Sequence, residues 1–308
     1  MTKLFTEIER GALGIRCSLA DHIMLLGSCF ADNIGSRMHA ALFDVTVNPF
    51  GTLYNPLSLL RAVQRLDAAA PYGPHDCVPM GAGAGLVCSF EHHTSFARPT
   101  AEEFLSNANA ALEHSRATWK ICNKVIITLG TAFVWEHGGF GDAVRDAARS
   151  GGFGAVSNCL KRPPSEFQHR RLSVQECADA LMQIVAAHPE KEFIFTVSPI
   201  RHLSQGAHEN TLSKATLHLA LEQLTGQAAG VPDTGRIAYF PAWEILCDQL
   251  RDYRFYDEDL VHPSKTAVDI IWERFLEDAT VPQERLRIEE NLRESRRQGH
   301  IRGYIPQR

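Results

Sequence analysis

The sequence has no apolar run long enough to cross a membrane, which takes about 20 consecutive residues in a helix. Residues 1–10 also lack the apolar core of a secretory signal peptide. There is no basic excess: 31 basic and 36 acidic side chains give a net charge of −5. Nucleic acid is therefore not expected as the main partner. The eight cysteines form no Cys-x-x-Cys pair, which indicates reduced thiols and a cytoplasmic protein.

What the chain does contain is a series of short apolar segments that alternate with helical spacing. The segments predicted as strands are residues 23–26, 43–47, 124–129, 193–197 and 237–240. Because these strands are apolar throughout and separated by helices, they predict an α/β protein with a three-layer, doubly wound parallel sheet. We assign residues 1–280 to one domain with an insertion around 135–172. Residues 281–308 form a charged helical tail that we expect on the outside or against a second copy of the chain.

Polar residues follow the carboxyl end of the first predicted strand. The strand stops at Gly27, Ser28 and Cys29 come next, and helical spacing of apolar residues begins at Phe30. Strand–turn–helix segments of this kind mount nucleophiles in α/β proteins, because the helix N-terminus supplies free N–H groups at the sheet edge. An ordinary βα turn is the alternative interpretation. The functional one requires catalytic partners elsewhere in the chain.

A histidine and a carboxylate late in the domain can supply those partners. Asp259 precedes His262 by three residues, just ahead of a predicted helix. A nucleophile needs a base to accept its proton, and the base needs an acceptor that orients it. The spacing predicts that Asp259 holds one ring nitrogen of His262 while the other nitrogen faces the nucleophile. An exposed loop histidine is the alternative, since 14 histidines and 36 acids make chance pairs common.

Longer motifs make the sequence resemble a known family. Residues 27–31, Gly-Ser-Cys-Phe-Ala, spell the motif that names the GSCFA family, a branch of the SGNH (GDSL-like) hydrolase superfamily. The other matching segments are, in chain order, residues 48–56, 128–132, 158–161, 196–202, 209–214, 251–256 and 262–264. The resemblance covers roughly residues 22–276 and leaves the charged tail outside.

The resemblance implies a flavodoxin-like SGNH hydrolase fold with strand order 2-1-3-4-5. It also implies ester or acyl-transfer chemistry on carbohydrate or lipid substrates. Within the family pattern, the nucleophile falls in residues 27–29 and an oxyanion-stabilising N–H falls on Gly51. Asp259 and His262 take the places of the catalytic carboxylate and base.

Two positions depart from the superfamily pattern. The place of the usual serine holds Cys29, and the place of the usual oxyanion asparagine holds Ala132. An oxyanion donor must therefore come from elsewhere. We expect it to be Asn158, from the insertion, or the Thr131 hydroxyl next to Gly130.

The identity of the nucleophile is open between two neighbours. The family register favours Cys29, and a thiol at a helix N-terminus beside a histidine is expected to have a lowered pKa. Ser28 competes, because shifting the turn by one residue would direct its hydroxyl to the base instead. A third interpretation makes Cys29 a buried core residue, which is how most unpaired cysteines are used.

These features predict an acyl-ester hydrolase or an O-acyl (acetyl) transferase that acts through a covalent acyl-enzyme on Cys29 or Ser28. The substrate would be a small molecule or a glycan, as in polysaccharide modification. No cofactor is expected beyond an acyl donor such as acetyl-CoA for a transferase. The residues expected to bind the substrate are Arg201, His202, His93 and Asn48.

Two alternatives belong to other functional classes. A non-catalytic carbohydrate- or ligand-binding module that keeps the fold is motivated by Ala132. A metal-dependent hydrolase is motivated by the histidines and acids of residues 75–93. Their spacing is irregular and adjacent histidines rarely bind one ion, so we predict no metal ligands.

Overall fold

The computed structural model describes residues 6–8, 13–81, 83–138, 153–226 and 235–303. Its strands are β1 (His22–Gly27), β2 (Asp44–Val47), β3 (Val78–Pro79), β4 (Val87–Cys88), β5 (Lys124–Leu129), β6 (Phe133–Gly138), β7 (Phe153–Val156), β8 (Phe167–Arg171), β9 (Glu192–Val197) and β10 (Ile237–Tyr239). Its helices are α1 (Cys29–Ala40), α2 (Pro56–Asp67), α3 (Ala101–Ile121), α4 (Val174–Ala187), α5 (Ala207–Thr225), α6 (Ala242–Glu244, continued by a π-helical turn over Ile245–Leu250), α7 (Lys265–Ala279) and α8 (Arg285–Gly303).

The central sheet has five parallel strands in the order β2-β1-β5-β9-β10. Counted along the chain within this sheet, the order is 2-1-3-4-5, so the predicted fold class and strand order are confirmed. All five strands coincide with the apolar runs of the sequence. The carboxyl ends of parallel strands meet at one edge of the sheet, where ligand sites of α/β proteins lie.

Each face of the sheet is covered by helices. Side chains alternate along β1, so that Met24 and Leu26 face one core cluster while Ile23 and Leu25 face the other. Helices α2 to α5 pack on the first face, whereas α1, α6 and α7 pack on the second. This arrangement confirms the three layers and explains why the strands are apolar on both sides.

The insertion contains a small sheet of its own. Strands β7, β6 and β8 form an antiparallel sheet in that order, immediately after the end of β5. The predicted insertion is thus partly a folded sheet, and residues 139–152 lie outside the described part of the chain. The sequence concealed these strands because β8 reads Phe-Gln-His-Arg-Arg and has no apolar alternation.

The charged tail packs against the domain. Ile288 of α8 is buried in the second core cluster, and the Asn291 amide donates to the Ala41 carbonyl at the end of α1 (2.9 Å). The first half of α8 therefore packs against α1. Within the described residues, no helix combines the length and apolar character needed to cross a membrane.

Candidate functional site

The turn after β1 requires a glycine. Gly27 has φ +140°, and a Cβ on this residue would collide with the main chain of Thr128 in the neighbouring strand β5. The Asn48 side-chain oxygen accepts a hydrogen bond from the Gly27 N–H (2.8 Å). Main-chain geometry thus fixes the point at which the strand ends and helix α1 begins.

Ser28 caps helix α1. Its hydroxyl accepts a hydrogen bond from the Phe30 N–H (3.3 Å), and the residue is fully buried. A serine at this place satisfies one of the free N–H groups of the first helical turn. The structure therefore gives Ser28 a structural role and does not direct its hydroxyl to His262, contrary to the alternative left open by the sequence.

Cys29 is the first residue of α1 and faces the predicted base. Its Sγ lies 3.8 Å from His262 Nε2, and His262 Nδ1 lies 2.6 Å from Asp259 Oδ2. The other carboxylate oxygen accepts main-chain N–H groups of Val261 and His262, both at 2.9 Å. These bonds lower the pKa of Asp259 to about 2, chiefly through the His262 N–H. The carboxylate therefore stays ionised and leaves Nε2 free to accept a proton.

The electrostatics around Cys29 differ from the expectation. Burial, and then the nearby Asp32 carboxylate, raise the pKa of the Cys29 thiol above its ordinary value. The N–H groups of Cys29 and Phe30 and the charge of Lys214 lower it by less. The predicted lowered pKa is thus wrong, because burial and Asp32 outweigh the helix N-terminus. The resting group is a neutral thiol that needs a base.

Asp32 is a site residue that sequence reasoning missed. It lies one helical turn after Cys29, and its carboxylate accepts a hydrogen bond from the Asn48 side-chain amide (2.7 Å). Burial raises the pKa of Asp32, while Asn48 and His93 lower it. The i, i+3 spacing from Cys29 was the available signal, since such residues share a helix face.

Asn48 is committed at both ends of its side chain. Its oxygen holds the Gly27 N–H and its nitrogen holds Asp32, and its own φ of +44° turns the chain after β2. The two bonds occupy one N–H and one lone pair of the amide, and the predicted substrate contact stays a prediction. Asn48 connects the ends of the first two strands and positions the turn that carries Cys29.

Three of the predicted oxyanion groups donate elsewhere. The Gly51 N–H donates to the Asn48 carbonyl (2.8 Å), and the N–H groups of Gly130 and Thr131 both donate to the Tyr54 carbonyl (2.8 and 2.9 Å). The Thr131 hydroxyl pairs with Ser213 Oγ (3.0 Å) and accepts the Phe133 N–H. These groups build the turns around the site, so their predicted role does not match their contacts.

Asn158 is likewise occupied. Its amide nitrogen donates to the His92 carbonyl, and its oxygen accepts the Leu160 N–H (2.8 Å). The side chain braces the loop between β7 and β8 against residues 92 and 93. The structure therefore replaces the predicted oxyanion role of Asn158 with a structural one.

Arg201 and His202 follow the end of β9. The Arg201 N–H donates to the Val261 carbonyl (3.3 Å), which ties it to the loop of His262. Its guanidinium contacts the Tyr256 hydroxyl (3.5 Å) and lies over the Trp243 ring, and no described carboxylate pairs with it. Burial, with the charges of Lys214 and His262, lowers the pKa of His202 to about 4. His202 is therefore a neutral imidazole beside the base.

His93 lies on the other side of the site. Its Nδ1 accepts the Ser95 N–H (3.2 Å), which leaves the proton on Nε2. A Cβ on Gly51 would collide with His93 Cβ, so this ring packs directly on the turn after β2. His93 is also near Asp32 and contributes to lowering the pKa of that carboxyl group.

The buried side chain of Lys214 connects the segments that follow β5 and β9. Its Nζ donates to the carbonyls of Gly130 (2.6 Å) and Ser198 (2.8 Å), which follow β5 and β9. Burial lowers the pKa of Lys214 to about 7. The sequence indicated Lys214 only as part of the matching segment 209–214. Its contacts could not be predicted, because its partners are main-chain carbonyls far away in the sequence.

The histidines and acids of residues 75–93 serve other contacts. Arg65 pairs with Glu91 (2.8 Å) and Asp76 (3.5 Å), while His92 is buried among aromatic rings and pairs with Ser89. Burial lowers the pKa of His92 to about 3. In the part of the chain that the structure describes, no three His, Cys, Asp or Glu side chains group as metal ligands would.

The sequence and the structure were compared with known proteins. Similar solved structures include a lipolytic protein of the G-D-S-L family from Veillonella parvula (9% identity, 83% of this chain and 96% of that one, TM-score 0.39). An acetyl-xylooligosaccharide esterase from Geobacillus (10%, 84% and 94%, 0.38) and a carbohydrate esterase of family 3 from Talaromyces cellulolyticus (10%, 87% and 98%, 0.36) are also similar. No curated protein matches the sequence. A profile described as the GSCFA family matches residues 22–275, so the chain belongs to the GSCFA family.

Proposed function

We propose that this protein is an acyl-ester hydrolase or O-acyltransferase whose covalent intermediate is a thioester on Cys29. The observation that carries the proposal is the alignment of three groups: Cys29 Sγ lies 3.8 Å from His262 Nε2, and Asp259 holds His262 Nδ1 at 2.6 Å. A nucleophile, a base and an orienting carboxylate in contact are what acyl transfer requires. The base and its carboxylate are half exposed, so a substrate can reach them.

The neutral thiol defines the first step. His262 Nε2 takes the Cys29 proton as the sulphur bonds to the carbonyl carbon, and the carbonyl π electrons move to the oxygen. When the carbonyl reforms, the bond from its carbon to the leaving group breaks, a carbon–oxygen bond in an ester or a carbon–sulphur bond in a thioester donor. The imidazolium then returns the proton to the leaving-group oxygen or sulphur. The Cys29 N–H at the start of α1 is one donor for the oxyanion.

The second step releases the acyl group. His262 removes a proton from water or from an acceptor hydroxyl, whose oxygen then attacks the thioester carbonyl. The carbon–sulphur bond breaks, the thiolate recovers the proton from His262, and the products are an acid or a new ester. Water makes the enzyme an esterase, and a sugar hydroxyl makes it a transferase with an acyl donor such as acetyl-CoA.

Side chains around the thiol suit an oxygen-rich substrate. Arg201 carries a positive charge without a described carboxylate partner, and His93 has an Nε2–H to donate. We assign these two residues and His202 to substrate binding, with a carbohydrate ester as the substrate class. A neutral His202 donates one hydrogen bond from one ring nitrogen and accepts one at the other.

A non-catalytic binding module is the second candidate. This candidate is favoured by the shortage of oxyanion donors. Ala132 has no side-chain donor, and the N–H groups of Gly51, Gly130 and Thr131 already donate to main-chain carbonyls, so fewer donors remain than a hydrolase of this fold needs. Such a module would bind the ligand without forming a bond to Cys29.

The experiment that separates the two is intact-mass measurement after incubation with p-nitrophenyl acetate or an acetyl thioester. We expect one acetyl group per chain, on the peptide that contains Cys29, and none in Cys29→Ala. Ser28→Ala serves as the matched control and should still be acetylated. A wild-type protein that is never acetylated, or is acetylated equally in Cys29→Ala, would contradict the proposal.

A further inference from the structure

Tyr54 lies between the ends of the two strands that frame the nucleophile. The N–H of its neighbour Leu53 donates to the Gly27 carbonyl at the end of β1 (2.8 Å). The Tyr54 carbonyl accepts the N–H groups of Gly130 and Thr131 after β5 (2.8 and 2.9 Å). Three main-chain hydrogen bonds therefore fix residues 53 and 54 between the turn that carries Cys29 and the segment that lacks the asparagine.

The ring of Tyr54 is held on two sides. It packs against Gly130, where an added Cβ would lie 3.1 Å from Tyr54 Cδ1, so the glycine makes room for the ring. The His202 ring meets it edge-on, with centroids 5.5 Å apart. A ring held by a backbone and an imidazole directs its hydroxyl in one direction without reorganisation, which is the property that electrostatic catalysis needs.

The hydroxyl of Tyr54 has a proton to donate. Thr52 Oγ1 donates to the phenolic oxygen (3.1 Å), so the phenol accepts there and its own proton remains for another acceptor. Burial raises the pKa of Tyr54 and outweighs the opposite effect of the hydrogen bond from Thr52. The phenol is thus protonated at neutral pH and can donate its proton to a hydrogen-bond acceptor.

We propose that the Tyr54 hydroxyl is the oxyanion donor that replaces the missing asparagine. It donates a hydrogen bond to the carbonyl oxygen as that oxygen gains negative charge during attack by Cys29, together with the Cys29 N–H. The phenol keeps its proton throughout, so the bonds made and broken are those of the acyl transfer alone. The inference rests on the proposed function, since it needs an acyl carbonyl at Cys29.

The test compares two reactions of the same thiol. We measure single-turnover acetylation of Cys29 by p-nitrophenyl acetate and alkylation of Cys29 by iodoacetamide, both by intact mass, in wild type and Tyr54→Phe. Acetylation passes through an oxyanion and should fall about 10²–10³-fold. Alkylation has no oxyanion and should keep its rate. Tyr253→Phe, at a tyrosine that is 78% exposed, is the matched control and should leave both rates unchanged.

Each outcome decides the inference. Normal acetylation in Tyr54→Phe overturns it, and so does an equal loss of acetylation and alkylation, which would mean that Tyr54 supports the thiol or the fold. If Tyr54→Phe fails to fold, Thr52→Val removes the bond that orients the phenol and should slow acetylation alone, by a smaller factor. A wild-type Cys29 that is alkylated but never acetylated contradicts the proposed function itself, and the role of Tyr54 with it.

Discussion

Replacing Asp259 by asparagine tests the triad through the tautomer of His262. One oxygen of Asp259 accepts the N–H groups of Val261 and His262, both at 2.9 Å, and the other faces His262 Nδ1 at 2.6 Å. In Asp259→Asn, the amide oxygen should keep the two N–H groups, because an amide NH₂ in the same place could not accept either of them. The amide NH₂ then faces Nδ1, which must become an acceptor.

The consequence for catalysis is large. A proton on Nε2 instead of Nδ1 prevents His262 from accepting the Cys29 proton, and the raised pKa of the thiol leaves little thiolate to react without it. We expect kcat on p-nitrophenyl acetate to fall about 10⁴-fold, the loss seen for the same change in a serine-protease triad. The protein should remain folded, since the loop keeps its main-chain bonds.

The matched control removes a carboxylate charge from another residue of the same loop. Asp257 lies in the same loop and its side chain accepts only the adjacent Glu258 N–H (2.9 Å) among its described contacts. Asp257→Asn should therefore keep near wild-type kcat. An Asp259→Asn protein with normal kcat and a normal unfolding temperature would refute the assignment of Asp259 as the residue that orients His262.

Three further predictions concern the surroundings of the site. Ser28→Ala should lower the free energy of unfolding by about 0.5–2 kcal/mol through loss of the α1 cap, while Cys29 is still acetylated; loss of acetylation in a folded variant would contradict the cap role. Gly35→Ala places a methyl group against the Val47 side chain and should destabilise the fold by about 1–3 kcal/mol in chemical denaturation; unchanged stability would contradict the close packing of α1 on β2. Lys214 has a pKa lowered to about 7 when folded, so the unfolded chain binds more protons above that pH and stability should rise with pH there. The free energy of unfolding of the wild type, measured relative to Lys214→Met, should rise by about 2 kcal/mol between about pH 7 and about pH 9. An equal pH dependence of the two proteins would mean that the folded lysine keeps its ordinary pKa.

The central sheet could be predicted from the sequence because its strands are short apolar runs that end in glycine or proline. Residues 124–129 show this plainly, since every one of the last five is buried. The small sheet of β6, β7 and β8 could not, because β6 and β8 mix aromatic with polar or charged residues, β7 is only four residues long, and the three strands pair only with one another. Local periodicity carries no signal when a strand has no single apolar face.

The geometry of the candidate site was predictable only in part. The pair Asp259 and His262 is local in sequence, so its spacing was informative. The choice between Ser28 and Cys29 depends on which residue caps α1, a main-chain property that both residue types allow. The pKa of Cys29 depends on burial and on Asp32. The contacts of Tyr54 exist because the carboxyl ends of β1, β5 and β9 meet at one edge of the central sheet. These contacts arise from tertiary structure, so one sequence could not provide them.

The most direct test of the account is the rate at which Cys29 is acetylated with and without its base. In single-turnover experiments with p-nitrophenyl acetate, His262→Ala should slow acetylation of Cys29 by about 10²–10⁴-fold while the protein stays folded, because a half-buried, neutral thiol depends on the imidazole 3.8 Å away. An unchanged rate of acetylation in a folded His262→Ala protein would contradict the claim that Cys29, His262 and Asp259 act together.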